Sequence, residues 1–242
     1  MRVAVVSDIH SNLAALKAVL ADAGAVDAVW CLGDIVGYGP QPDECIETLR
    51  AQPGLVCIPG NHDWAALGKL DTAEFNHDAQ SAVLWTREHL SDEGRRYLES
   101  LKETQEAYGF TLVHGSPRHP IWEYVISPRL AGENFAAFKT TYCLVGHSHW
   151  PIMYVENGAD PPAEDDAQWG ACIELGDRRR FINPGSVGQP RDGDPAASYL
   201  VLDPERKTVE YRRVRYPVKA TQALMRKAGL PSRLVERIAY GW

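Results

Sequence analysis

The chain of 242 residues has no apolar stretch approaching the ~18 to 20 residues that a membrane-crossing helix needs. Its opening residues, MRVAVVSD, lack the apolar core of a cleavable leader and read as a strand. Cysteine is scarce. The five residues at 31, 45, 57, 143 and 172 are odd in number and form no C-x-x-C pair, which argues against both a disulfide framework and a cysteine zinc site. Reduced thiols in a cytoplasm are the expectation. Positive charge is in deficit as well: 25 Lys plus Arg against 32 Asp plus Glu give a formal charge of −7, which argues against a surface that grips nucleic acid throughout. Residues 204–242 are the exception, with ten Lys plus Arg against three Glu. A solvated helix face accounts for that excess, and contact with an acidic partner is the alternative.

The composition that is present, 45% hydrophobic and 24% charged, is that of a globular protein. Short runs rich in Val, Ile, Leu and Cys recur at residues 3–6, 28–32, 55–58, 110–113 and 143–145, and predict strands buried on both faces. Residues 12–23 place Leu13, Leu16, Val19 and Leu20 on one helical face, with Asn12 as cap and Gly24 as terminator. A second helix starts near Pro42 and stops at Pro53-Gly54, which gives the βαβ rhythm of a mostly parallel sheet. A helical region over 72–102 breaks near Ser91. Beyond His149 the pieces alternate, at 152–155, 169–175, 180–182, 198–202 and 208–214, and predict antiparallel strands of a second sheet. Residues 156–168 read as an acidic loop, and helices over 218–228 and 231–240 close the chain. The expected organisation is one domain over 1–242, with 217–242 a C-terminal helical extension.

Each of the five buried-strand candidates runs into a metal-competent residue: Asp8 and His10 in VAVVSDIH, Asp34 in WCLGD, Asn61 and His62 in VCIPGNH, His114 in TLVHG, His147 and His149 in YCLVGHSH. Open α/β sheets bind ligands beyond the carboxyl ends of their strands, so the five point to one site. In an extended segment residues i and i+2 face the same way, which would let Asp8 with His10, and His147 with His149, act as pairs. Carboxylate, amide and imidazole suit Mn²⁺, Fe, Zn²⁺, Ni²⁺ or Co²⁺, and the set is large enough for two ions if one carboxylate is shared.

The ordered series Asp8-x-His10, Gly33-Asp34, Gly60-Asn61-His62-Asp63, His114-Gly115 and Gly146-His147-Ser148-His149 resembles the signature of the calcineurin-like metallophosphoesterases across residues 3–202. With the segment Asn183-Pro184-Gly185-Ser186-Val187-Gly188, it is similar to the small bacterial and archaeal phosphodiesterase branch, related to diadenosine tetraphosphatases. The resemblance implies an α/β fold, a four-layer αββα sandwich of two mixed sheets flanked by helices. It implies two divalent ions, Mn²⁺ foremost, one held by Asp8, His10, Asp34 and His149 and the other by Asp34, Asn61, His114 and His147. His62 would face the substrate phosphate as general acid or transition-state stabiliser, with Asp63 fixing its ring. The implied reaction is hydrolysis of a small phosphate ester, foremost a diester, by metal-activated hydroxide. A dinucleoside polyphosphate or a phosphoprotein are alternative substrates, and a non-catalytic scaffold of the same fold is the alternative of another class.

Other residues have plainer readings. Cys31, Cys57 and Cys143 sit in apolar runs and read as core. His77, His89 and His119 lack ligand spacing. Tyr38 either lines the pocket or packs its turn. Residues 183–194 either connect strands or reach the site, where Arg191 would pair with a substrate phosphate.

Overall fold

The first strand sets the layering. In β1 (Val3–Val6), Val3 and Val5 point to one face and Ala4 and Val6 to the other, and all four are fully buried. The computed structural model, which describes residues 1–158 and 161–242, places β1 between β2 (Ala28–Cys31), parallel to it, and β11 (Ala197–Asp203), antiparallel. The sheet runs β3-β2-β1-β11-β12-β9, with β3 at Val56–Cys57, β9 at Cys172–Glu174 and β12 at Thr208–Val214. A second sheet runs β4-β5-β6-β10-β7-β8. Its strands are β4 (Thr104–Ala107), β5 (Phe110–Val113), β6 (Tyr142–Leu144), β7 (Pro151–Val155), β8 (Ala163–Asp166) and β10 (Arg180–Pro184).

Side-chain alternation sorts the core into layers. Val3, Val5, Trp30 and Leu200 of the first sheet pack against Phe110, Leu112, Leu144 and Ile182 of the second. On the outer face of the first sheet, Ala4, Val6, Val29 and Cys31 meet α1 (Leu13–Ala23) and α2 (Pro42–Arg50). On the outer face of the second, Cys143, Tyr154 and Phe181 meet Ala131 of α6 (Pro128–Asn134) and Phe135 beyond it. The result is the helix, sheet, sheet, helix sandwich expected. Asn12 caps α1 by accepting from the Ala15 N–H at 3.3 Å, and Ser91 separates α4 (His77–His89) from α5 (Asp92–Ser100). α3 (Asn61–Ala66) follows β3 directly. α7 (Val218–Lys227) and α8 (Ser232–Arg237) cover Ala79 and Ala82 of α4 through Met225, Leu234 and Val235.

Strand allocation differs from the sequence expectation. The late strands do not form a separate antiparallel sheet: β9, β11 and β12 extend the first sheet, while β10 lies parallel to β6 in the second. The early buried strands divide the same way, with β1, β2 and β3 in one sheet and β5 and β6 in the other. Alternation records which residues are buried and carries no label for the sheet a strand joins. The expected 156–168 loop contains edge strand β8, and its residues 159–160 lie outside the described residues.

Candidate active site

All five ligand-bearing segments meet at the carboxyl ends of β1, β2, β3, β5 and β6, but not by continuing as extended chain. Asp8, His10, Asp34, His147 and His149 have φ of 54°, 49°, 52°, 65° and 60°, left-handed values that are uncommon for residues with a Cβ. The pairs at 8/10 and 147/149 therefore converge because the backbone coils, not through the expected period of two. The coils are tied together by main chain: His10 N–H donates to Asp34 O at 2.9 Å, Gly146 N–H to His114 O at 2.8 Å and Gly188 N–H to Asp8 O at 2.9 Å. Gly60 is required here, since a Cβ on it would overlap the Asp34 carboxylate.

Two groups of buried donors result, Asp8 with His10, Asp34 and His149, and Asp34 with His114 and His147. Asn61 joins the second, its Oδ1 being 3.1 Å from His114 Nε2. Asp34 Oδ2 stands between the groups, 3.6 Å from His10 Nε2 and 3.4 Å from His114 Nε2. Asp34 Oδ2 and Asp8 Oδ1 are buried and have no hydrogen-bond partner. Each of the four histidines turns one ring nitrogen to a backbone carbonyl: His10 to Val36 at 3.2 Å, His114 to Leu32 at 2.8 Å, His149 to Gln189 at 2.5 Å and His147 to Trp122 at 3.1 Å. The other nitrogen is thereby left with its lone pair facing inward. His10 Nε2 and His149 Nε2 accordingly face each other at 3.1 Å. Orphaned carboxylate oxygens beside inward lone pairs are a donor set for cations, so the residues fit a pair of metal ions.

Electrostatics agree. Burial, reinforced by Asp34, pushes the Asp8 carboxyl up to about 7. Burial alone would raise Asp34 too, but His114 and His62 hold it well below the carboxylate range. Burial opposes charge on His114, yet Asp34 outweighs it and raises the imidazole to about 9. The ionised Asp34 is the negative charge at the centre of the site, and His114 takes up a proton only where no cation meets that charge.

His62 sits in α3 with its ring 4.3 Å from that of Tyr38 and 5.0 Å from that of Phe75, and its Nδ1 has no partner. Burial lowers it to about 4, against the pull of Asp34. Asp63, expected to fix the ring, has a carboxylate that accepts from Val36 N–H at 3.0 Å and Gly60 N–H at 2.8 Å, which caps α3, and no hydrogen bond among the described residues links it to the His62 ring. Tyr38 does both things weighed for it, holding a turn at φ 55° and lining the cavity.

That cavity, of about 340 Å³, is lined by Asp34, Asn61, His62, His147 and His149 and walled by Phe75, Trp122, Tyr124, Arg191 and Arg237. Tyr124 stacks on His147 at 3.7 Å. Segment 183–194 reaches the site, mostly as a buttress. Asn183 Nδ2 donates to Gly146 O at 2.8 Å, Ser186 Oγ to Asp8 O at 2.8 Å, and only Arg191 enters the cavity. Sequence reasoning missed Trp122 and Tyr124, whose segment shows neither motif nor periodicity, and Phe75 and Arg237, which lie in segments read as helical with nothing to direct them to the site. Cys31 and Cys143 are buried thiols with raised pKa values, Cys31 through its hydrogen bond with Cys57 and then burial, Cys143 through burial, as expected of core residues.

The fold and this site define a class. The model of the calcineurin-like phosphoesterase superfamily domain matches residues 1–207, and the chain belongs to that superfamily, with a dinuclear metal-binding cluster and hydrolase activity. It is similar, at 48% identity and a TM-score of 0.92, to a metallophosphoesterase from Sphaerobacter thermophilus, covering 100% of this chain and 99% of that one. The uncharacterized protein MJ0912 of Methanocaldococcus jannaschii is 39% identical over 99% of this chain and 98% of its own length. A symmetrical bis(5'-nucleosyl)-tetraphosphatase of Pseudomonas entomophila is 35% identical over 53% of this chain and 47% of its own.

Proposed function

We propose that the chain is a phosphodiesterase in which Asp8, His10, Asp34 and His149 hold one divalent cation and Asp34, Asn61, His114 and His147 a second. The observation that supports it most is Asp34 Oδ2, a buried oxygen without a hydrogen bond that both donor groups share. A donor set of carboxylate, amide and imidazole without thiolate favours Mn²⁺, with Fe, Zn²⁺, Ni²⁺ or Co²⁺ as alternatives. When bound there, the cations would supply Lewis acidity, lowering the pKa of a water and offsetting charge on phosphoryl oxygens. The protein does the rest. The His62 imidazole, kept neutral by burial, offers a ring N–H to a phosphoryl or leaving oxygen, so it stabilises the transition state as a hydrogen-bond donor rather than as an imidazolium acid. Arg191, whose buried Nε is unpaired, takes a further phosphate oxygen, and Tyr38 orients the ester against His62.

Residues 217–242 are a helical extension of the same domain, and five free cysteines support a cytoplasmic setting. A second reading, hydrolysis of a dinucleoside polyphosphate, draws support from the names of the half-length relatives. Protein loaded with Mn²⁺ and desalted should carry close to two ions per chain and hydrolyse bis(p-nitrophenyl) phosphate. A single ion per chain would overturn the shared-carboxylate centre, and a fully loaded protein inert towards every ester tried would leave a scaffold.

A further inference from the structure

Beyond residue 207, where the match to the family model stops, the chain still contributes to the cavity. Arg237, the last residue of α8, lines it together with Arg191. Arg237 Nε donates to the main-chain oxygen of Trp242 and Arg191 Nη2 to Gln189 Oε1, and neither guanidinium pairs with an Asp or Glu side chain among the described residues. Burial and the neighbouring Arg191 push Arg237 down to about 10. Two half-buried guanidinium groups that line one cavity without an Asp or Glu ion pair make it a place for an anion.

A second cavity, of about 480 Å³, adjoins the first, and Arg237 and Asn76 line both. Its far wall is Arg233, Tyr240 and Trp242. The Tyr240 and Trp242 rings stack on each other at 4.9 Å and 26° yet remain 55% and 65% exposed. A flat aromatic surface beside unpaired guanidinium groups, with Asp78 and Glu236 carboxylates in the same cavity to accept from amino edges, matches a phosphate joined to a planar, hydrogen-bonding base. A simple alkyl ester would leave this wall unused.

We infer that residues 233–242 form a leaving-group subsite for a nucleotide, in which Arg237 takes the phosphate and the Tyr240–Trp242 stack takes the base. The inference rests on the phosphodiesterase reading and names its substrate class, a nucleotide-bearing phosphate ester. Hydrolysis adds the hydroxyl of water to phosphorus, returns its proton to the leaving oxygen and delivers a nucleoside or nucleotide into this cavity.

The test is calorimetric binding of AMP and of ribose 5-phosphate, the same phosphate without a base, to the full-length Mn²⁺-loaded protein. AMP should bind about tenfold tighter, the scale of one base stacked on an aromatic ring. The Tyr240→Ala/Trp242→Ala double variant should lose that preference, and Arg237→Ala should weaken both ligands by about tenfold. Equal affinity for the two ligands, or a preference that survives the double variant, would overturn the subsite. Turnover of bis(p-nitrophenyl) phosphate is read separately. A protein that hydrolyses this ester but ignores the base loses the subsite alone, whereas one that prefers AMP but hydrolyses no ester keeps the subsite and loses the phosphodiesterase reading.

Discussion

The floor and the wall of the cavity are built by different means. On the floor, ligand side chains ride on left-handed turns cross-linked by main-chain hydrogen bonds, and each histidine is oriented by a backbone carbonyl. The wall consists of side chains from three loop segments and helix α8, namely Phe75, Trp122, Tyr124, Arg191 and Arg237. A floor of this kind tolerates little change, because moving one ligand moves the backbone of the next. A wall of this kind can be altered one residue at a time. The comparison assigns bond cleavage to the floor and choice of substrate to the wall.

The largest break in that contrast should come from Asp34→Asn. Metal analysis should show occupancy lowered in both positions, and turnover should fall by at least ~10³, because several kcal/mol of Lewis-acid stabilisation goes with the ions. Loss confined to one ion would mean the two groups are independent. Next comes His62→Ala, which should retain metal and thermal stability but lose about 10² to 10³ in kcat, the cost of one transition-state donor. Unchanged turnover would remove His62 from the reaction. Asn183→Ala touches no ligand. It removes the bonds to Gly146 O and Ser148 Oγ and should weaken metal binding about tenfold while costing ~1 to 2 kcal/mol in stability, read by metal titration and denaturant melts. The smallest effect is assigned to the wall: Arg191→Ala should raise KM for a charged ester several-fold with metal content intact, and a fall in kcat alone would make it part of the floor.

The floor was legible in the sequence and the wall was not. Asp8, His10, Asp34, Asn61, His114, His147 and His149 follow apolar runs that mark buried strands, so position along the chain translates into position at a sheet end. Trp122 and Tyr124 belong to a loop held by Glu123, whose carboxylate binds Arg118, Ser116 and Asn134, and no local period announces such a network. The role of Asp63 beside His62 came from the family resemblance, and the sequence also carried a second signal, since a residue three places past Gly60 is placed to cap the helix. Among the elements, β1, α1 with its Asn12 cap and the break at Ser91 followed from periodicity and capping. β4 and β8 did not, since TQEA and AEDD are polar edge segments whose pairing comes only from a neighbouring strand. Sheet membership was hidden for the same reason, being a property of contacts between residues far apart in the chain.

The pairing of β1 with β11, Val3 opposite Leu202, has a consequence for the order of events during synthesis. By residue 61 the ribosome has released Asp8, His10, Asp34 and Asn61, but the amide groups of Val187 and Gly188 that hold the turn at Ser7 and Asp8 emerge some 125 residues later. Contacts of such sequence separation form slowly, because the loop must close before it is rewarded. Metal capture at this centre is thus a report that the chain has returned to its own beginning, and a nascent or truncated chain ending before β10 owns all seven ligands without owning the main-chain ties that hold Ser7 and Asp8.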